Sequence, residues 1–109
     1  MTIHHQTLSA GRWQAFSLAE QMGNIGSEIS RANRWQGKNQ EHFTAAADRA
    51  LELMDLTIRD SRWRARLKEL TRTRELFIDA LLGGAEYRSS LADLDRYFFA
   101  FAFAARLKR

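Results

Sequence analysis

The stretch Tyr97-Phe98-Phe99-Ala100-Phe101-Ala102-Phe103-Ala104-Ala105 decides the fold, because it can be read in two ways. Phe99, Phe101 and Phe103 alternate with alanine, which taken alone is the two-residue period of a strand. Alanine, however, is the best helix former and a poor strand former, and the chain offers no second strand candidate to pair with this one. A wider window agrees with the helix. Tyr87, Leu91, Leu94, Phe98, Phe101 and Ala105 recur at steps of four and three, which is one face of a helix.

Three further apolar stripes lie upstream. Ser17-Leu18-Ala19-Glu20 is a capping box: the serine oxygen accepts from the amide three residues on, and the glutamate reaches back. Behind it Leu18, Met22, Ile25, Ile29 and Ala32 form a helical stripe that Gly37 stops. Asn39 caps a second helix carrying Phe43, Ala47, Ala50, Leu51, Met54 and Ile58. After a break at Asp60 and Ser61, a third stripe runs through Trp63, Leu67, Leu70, Phe77, Ile78 and Leu81 to the Gly83-Gly84 pair. Connections of about two to five residues join antiparallel neighbours. The reading is therefore an all-α, antiparallel up-down four-helix bundle over residues 17–109. Residues 1–16 form an N-terminal arm whose Trp13 and Phe16 pack back on the body.

Bulk properties narrow the class. A chain of 109 residues, 45% hydrophobic and 28% charged, makes one globular domain. There is no proline to interrupt a helix and no cysteine for disulfides or thiolate zinc sites. The first ten residues lack the basic and apolar regions of a secretory signal. Tyr97 to Ala105, the longest apolar run, has nine residues, against about 20 needed to span a bilayer. A cytoplasmic protein without a membrane partner is expected. The formal net charge of +4 suits a nucleic-acid partner, RNA or DNA.

Residues the core does not need are the functional candidates. Phe99, Phe103 and Leu107 fall on the face of the fourth helix opposite Leu94, Phe98 and Phe101. No helix of a four-helix bundle is central, so a helix apolar on two sides predicts a homo-oligomer or a docked protein partner. The alternative is that the arm folds over this face. On the first helix Ala19, Gly23, Gly26 and Ser30 make a small-residue stripe. Two mid-helix glycines cost about 1 kcal/mol each, so a neighbouring backbone is expected to approach closely, the alternative being a ligand or phosphate against that groove. Beside it runs a polar row of Gln21, Asn24, Glu28 and Arg31, in which Glu28 and Arg31 are spaced for a surface ion pair. Asn24, Glu28 and Arg31 are also partner-binding candidates.

The densest positive charge comprises Arg59, Arg62, Arg64, Arg66, Lys68, Arg72 and Arg74. Arginine forks suit phosphate, and Trp63 among them could stack on a base. Arg62, Arg64, Arg66, Lys68 and Arg72 are the nucleic-acid candidates, although the helical wheel spreads several of them around the solvent side. Arg74 falls on the core side and needs a carboxylate partner.

Catalytic motifs are absent. There is no Glu-x-x-His pair for a di-iron centre, and the histidines are His4, His5 and His42. Asp48, Glu52 and Asp55 share a face, and Glu52-Leu53-Met54-Asp55 resembles the Glu-x-x-Asp element of all-helical nucleotide pyrophosphohydrolases. The upstream Glu-x-x-Glu that completes a magnesium site there is missing. The late Arg-(x4 to x6)-His of HEPN-type ribonucleases is missing too, since no histidine follows Arg96. No catalytic residue, metal or cofactor is expected.

The run Asn24-Ile25-Gly26-Ser27-Glu28-Ile29-Ser30-Arg31 resembles a family of small four-helix bundles. That family includes ribosomal-RNA intervening-sequence proteins and the Avd-like accessory proteins of diversity-generating retroelements. Asn24, Ile25, Glu28 and Arg31 supply the residue types of its Asn-Ile helix at a shifted spacing, over the first helix only. The resemblance implies a ring-forming homo-oligomer with a basic surface for RNA or a partner protein. The expected function is a non-enzymatic oligomeric module that binds nucleic acid or a nucleic-acid-associated protein; the alternatives are a protein–protein adaptor docking through the Phe99/Phe103/Leu107 face and a magnesium-dependent nucleotide phosphohydrolase using Glu52 and Asp55.

Overall fold

The structure is a computed structural model that describes residues 11–107. The first ten residues of the expected arm, with His4 and His5, lie outside the described residues, as do Lys108 and Arg109. Four helices follow one another: α1 (Leu18–Trp35), α2 (Gln40–Ile58), α3 (Leu67–Leu81) and α4 (Leu91–Leu107). No strand occurs among the described residues. The phenylalanine-alanine alternation lies inside α4, with Phe98 buried and Phe99 exposed.

The helix ends follow local chemistry. Both halves of the capping box are made, with the Glu20 N–H donating to Ser17 Oγ at 3.1 Å and the Ser17 N–H donating to Glu20 Oε1 at 2.8 Å. Past the end of α1, Gly37 takes a φ of +77°, the left-handed region where a side chain would be strained. Asn39 Oδ1 accepts from the His42 N–H at 3.0 Å and starts α2.

Side-chain pairings fix the directions. Trp13, ahead of α1, reaches Thr57 near the end of α2, while Glu28 in mid-α1 pairs with Arg49. Asp55 of α2 pairs with Arg74 of α3, and Glu69 of α3 accepts from the Tyr97 hydroxyl of α4. Gly23 and Gly26 of α1 lie against Ala102 and Phe98 of α4. The contacts of α1 with α2 and with α4 run forward on α1 and backward on the neighbour, and α3 returns between α2 and α4. The helices therefore alternate up and down, with α1 packed on both α2 and α4 and α3 closing the bundle between α2 and α4.

The glycine stripe has the expected cause. A Cβ on Gly26 would lie 2.8 Å from Phe98 Cβ, and one on Gly23 would lie 3.2 Å from Ala102 Cα. Only residues without a Cβ let α4 seat Phe98 in the core at this depth. Around it the core gathers Trp13, Met22, Ile25, Ile29, Leu53, Met54, Leu70, Phe77 and Leu91.

Several expectations need correction. Residues 61–66 form a 3₁₀ stretch with a kink at Trp63, so Trp63 precedes α3 and is half-buried. Leu67, expected in the core, is 41% exposed, and the buried face of α3 starts at Leu70 and includes Thr73 and Asp79. Tyr87 is not on α4, which begins at Leu91 after a Ser90 cap. The connection from α3 to α4 is consequently longer than five residues and spans 82–90. It is built around Asp79, a charge where an apolar residue fits the pattern. The Asp79 carboxylate accepts from the Glu86, Tyr87 and Ser89 amides at 2.8, 3.1 and 3.2 Å and from the Ser89 hydroxyl at 2.8 Å. Burial pushes this carboxyl up, but the Glu86 amide, the Ser89 hydroxyl and the other donors outweigh it and hold it below the usual range. Gly84 takes a φ of +80°, and a Cβ there would lie 2.6 Å from the Ser89 carbonyl oxygen. Longer loops of this kind carry no periodicity and escape a stripe-based reading.

Candidate nucleic-acid interface

Many of the arginines ahead of α3 are already engaged. Arg62 pairs with Asp60 at 2.7 Å, donates to the Phe16 carbonyl at 2.9 Å and lies over the Trp63 ring, 4.4 Å from its centroid. Asp60 is itself buried and accepts at 3.2 Å from Gln21. The Arg62 guanidinium holds its carboxyl at about 2, against an ordinary 3.8. Gln21, read from sequence as part of a surface row, is instead fully buried. Its amide donates to the Trp13 carbonyl at 2.9 Å and accepts from Trp63 Nε1 at 3.0 Å. This polar knot ties the chain before α1 to the turn before α3. It also removes Arg62 and Trp63 from a simple exposed cluster.

Two more of the five nucleic-acid candidates have intramolecular partners. Arg66 pairs with Glu69 at 2.7 Å, and this contact holds Glu69 below the usual carboxylate range. Arg72 lies 4.7 Å over the Tyr87 ring. Arg64 and Lys68 are exposed and make no ion pair among the described residues. Arg74 finds the carboxylate it needs in Asp55, at 2.8 Å.

On α1 the polar row is partly spoken for as well. Asn24 donates to the Glu20 carbonyl of its own helix at 2.8 Å and stays exposed. Glu28 takes Arg31 at 3.4 Å, as its spacing predicts, and also Arg49 of α2 at 3.3 Å.

A different basic surface comes together between α1 and α4. There a groove of about 330 Å³ is lined by Gly23, Gly26, Ser27 and Ser30 on one side and by Phe98, Phe99 and Ala102 on the other. Arg31, Arg34, Arg106 and Asp95 also line it. Arg34 and Arg106 are exposed and make no ion pair among the described residues. The geometry follows from the glycines: with no side chains in the seam, an open trough is left above the point of helix contact. Sequence reading finds the stripe and Arg31 but not Arg34 or Arg106. The signal for Arg34 is nonetheless there, since Gly23, Gly26, Ser30 and Arg34 continue one helical row. Arg106 joins them only because α4 runs antiparallel to α1.

Alongside this groove the outer face of α4 is bare. Phe99, Phe103 and Leu107 are 61%, 52% and 69% exposed, and no described part of the segment before α1 covers them. Trp13 turns toward Thr57 of α2 instead. Phe99 belongs to both features, lining the groove on one side and continuing the ridge on the other.

The carboxylate row of α2 does not form an open pair. Asp55 holds Arg74, and Glu52 is half-buried with an interaction of its own. Among the described residues no three His, Asp or Glu side chains converge as metal ligands, and no helix is long and apolar enough to cross a membrane. No protein-family model, curated protein or solved structure matches the chain.

Proposed function

We propose that this chain is a non-enzymatic helical module that self-associates through the outer face of α4 and presents a basic surface to nucleic acid. The observation that carries the reading is the α4 ridge of Phe99, Phe103 and Leu107, each more than half exposed. Apolar area of this kind, contiguous on one helix, is a liability on a monomer. A second copy is the occupant that fits, because the same face supplies knobs and holes. Exposed Ala100 lies between Phe99 and Phe103, so an antiparallel copy can seat its rings beside alanines. No charged residue falls between Arg96 and Arg106 to oppose that approach.

The nucleic-acid part rests on the net charge of +4 and on Arg34, Arg64, Lys68 and Arg106, which are free of ion pairs among the described residues. Self-association multiplies that charge on one particle and strengthens phosphate binding. The resemblance of α1 to the intervening-sequence and Avd-like bundles also implies self-association with a basic surface.

Light scattering on the purified chain and on Phe103→Glu tests the first half. An oligomer that the glutamate converts to a monomer is expected, and a wild type monomeric at high concentration overturns self-association. Mixed-sequence RNA and DNA binding at about 50 and about 200 mM salt tests the second half. Binding that collapses with salt is expected, and no binding at the lower salt overturns it. A monomer that also ignores nucleic acid would leave the ridge as the docking face of a protein adaptor.

A further inference from the structure

Resting on the nucleic-acid reading above, we infer that the α1–α4 groove is the site where one phosphodiester of a single strand binds, with its base against the Phe99 ring. Three guanidiniums and one carboxylate line the groove, so it carries a surplus of positive charge. Arg34 and Arg106 come from different helices and have no ion-pair partner among the described residues, which leaves both forks available to one phosphate. Arg31 is held only by a 3.4 Å contact to Glu28 and adds a third donor. Ser30 also lines the groove.

The aromatic wall selects the ligand class. Phe99 lines the groove while remaining 61% exposed, so a flat apolar face lies beside the phosphate donors. Guanidiniums beside an open aromatic ring match a strand whose bases are unstacked, since phosphate and base then reach the two features together. A duplex keeps its bases inside and meets only the arginines. An acidic peptide has the charge but no π-face for the ring. A second copy centred on Phe103 and Leu107, which do not line the groove, covers the outer side of the ridge and leaves the groove side of Phe99 uncovered.

The test is fluorescence anisotropy of a labelled single strand of about 12 nucleotides, and of the matching duplex, at low salt. Arg34→Gln/Arg106→Gln is expected to weaken single-strand binding at least about tenfold, because it removes two charge-assisted donors to the phosphate. Phe99→Leu keeps the ridge apolar but removes the aromatic face, and about a fivefold or greater loss is expected when compared at a protein concentration where light scattering gives the same oligomer as wild type. Arg64→Gln/Lys68→Gln, which removes charge outside the groove, is expected to weaken single-strand binding less than the groove pair does. Circular dichroism confirms the fold of each variant. If wild type binds but the Arg64/Lys68 variant alone loses affinity, the groove assignment falls while the nucleic-acid reading stands. Duplex bound as tightly as single strand, or polyglutamate displacing the strand at equal charge, also overturns the groove. Wild type that binds no nucleic acid removes both.

Discussion

The Gln21 amide donates to the Trp13 carbonyl and to Asp60 and accepts from Trp63 Nε1, all within the buried end of the bundle. Trp13 spends its own N–H on Thr57 Oγ1 at 3.1 Å, so both indoles and both buried oxygens are satisfied. Networks of this kind are costly when one member is removed, because the partner keeps its desolvation penalty. Trp13→Phe, which strands the Thr57 hydroxyl, is expected to cost about 1–2 kcal/mol in urea denaturation. Asp60 adds a pH dependence. Its folded pKa of about 2 lies below the ordinary 3.8, so its contribution is complete above about pH 4 and is lost as pH falls through about 2. The difference corresponds to about 2 kcal/mol at most, and toward about 1 because Arg62 is 40% exposed. Stability measured from pH 5 downward on wild type and Asp60→Asn checks this. The variant should start lower and fall less steeply, and parallel curves would contradict the assignment.

At the scale of elements, the α1–α4 seam and the loop after α3 make separate predictions. Gly26→Ala gains about 1 kcal/mol of helix propensity but puts a Cβ 2.8 Å from Phe98 Cβ, where overpacking costs about 1–3 kcal/mol. The balance is destabilising. At Gly23 the nearest atom is Ala102 Cα at 3.2 Å, so a small shift suffices and Gly23→Ala should fall within about 0.5 kcal/mol of wild type. Equal effects in denaturant titrations would mean that the helices do not meet as described. In the 82–90 connection, Asp79 gathers four donors, three of them backbone amides. Asp79→Ala should therefore remove hydrogen-exchange protection from the Glu86, Tyr87 and Ser89 amides while leaving α1 and α2 amides protected.

For the molecule as a whole, self-association and phosphate binding each leave a signature in bulk behaviour. A chain that assembles through α4 gains stability by mass action. Its melting temperature should rise with protein concentration, and that of Phe103→Glu should not. If the groove neutralises one phosphate of a single strand, log K for the Arg34→Gln/Arg106→Gln variant should fall with log salt less steeply than for wild type, by about 0.7 in slope.

The four helices, their up-down order and the caps of the first two are legible in the chain alone, because they depend on short-range spacing. Ser17 with Glu20, Asn39, and the Leu91-Leu94-Phe98 row need no distant partner to be recognised. The exposed ridge of Phe99, Phe103 and Leu107 follows from the same arithmetic. Tertiary structure decided the fate of the charges without a local partner. Arg62 and Asp60 are also held by groups from Phe16 and Gln21, Arg74 by Asp55, and the groove draws Arg34 and Arg106 from the first and last helices. The physical reason is that apolar burial is read from a local period, whereas an ion pair or buried hydrogen bond depends on which distant residue the packing brings within about 3 Å.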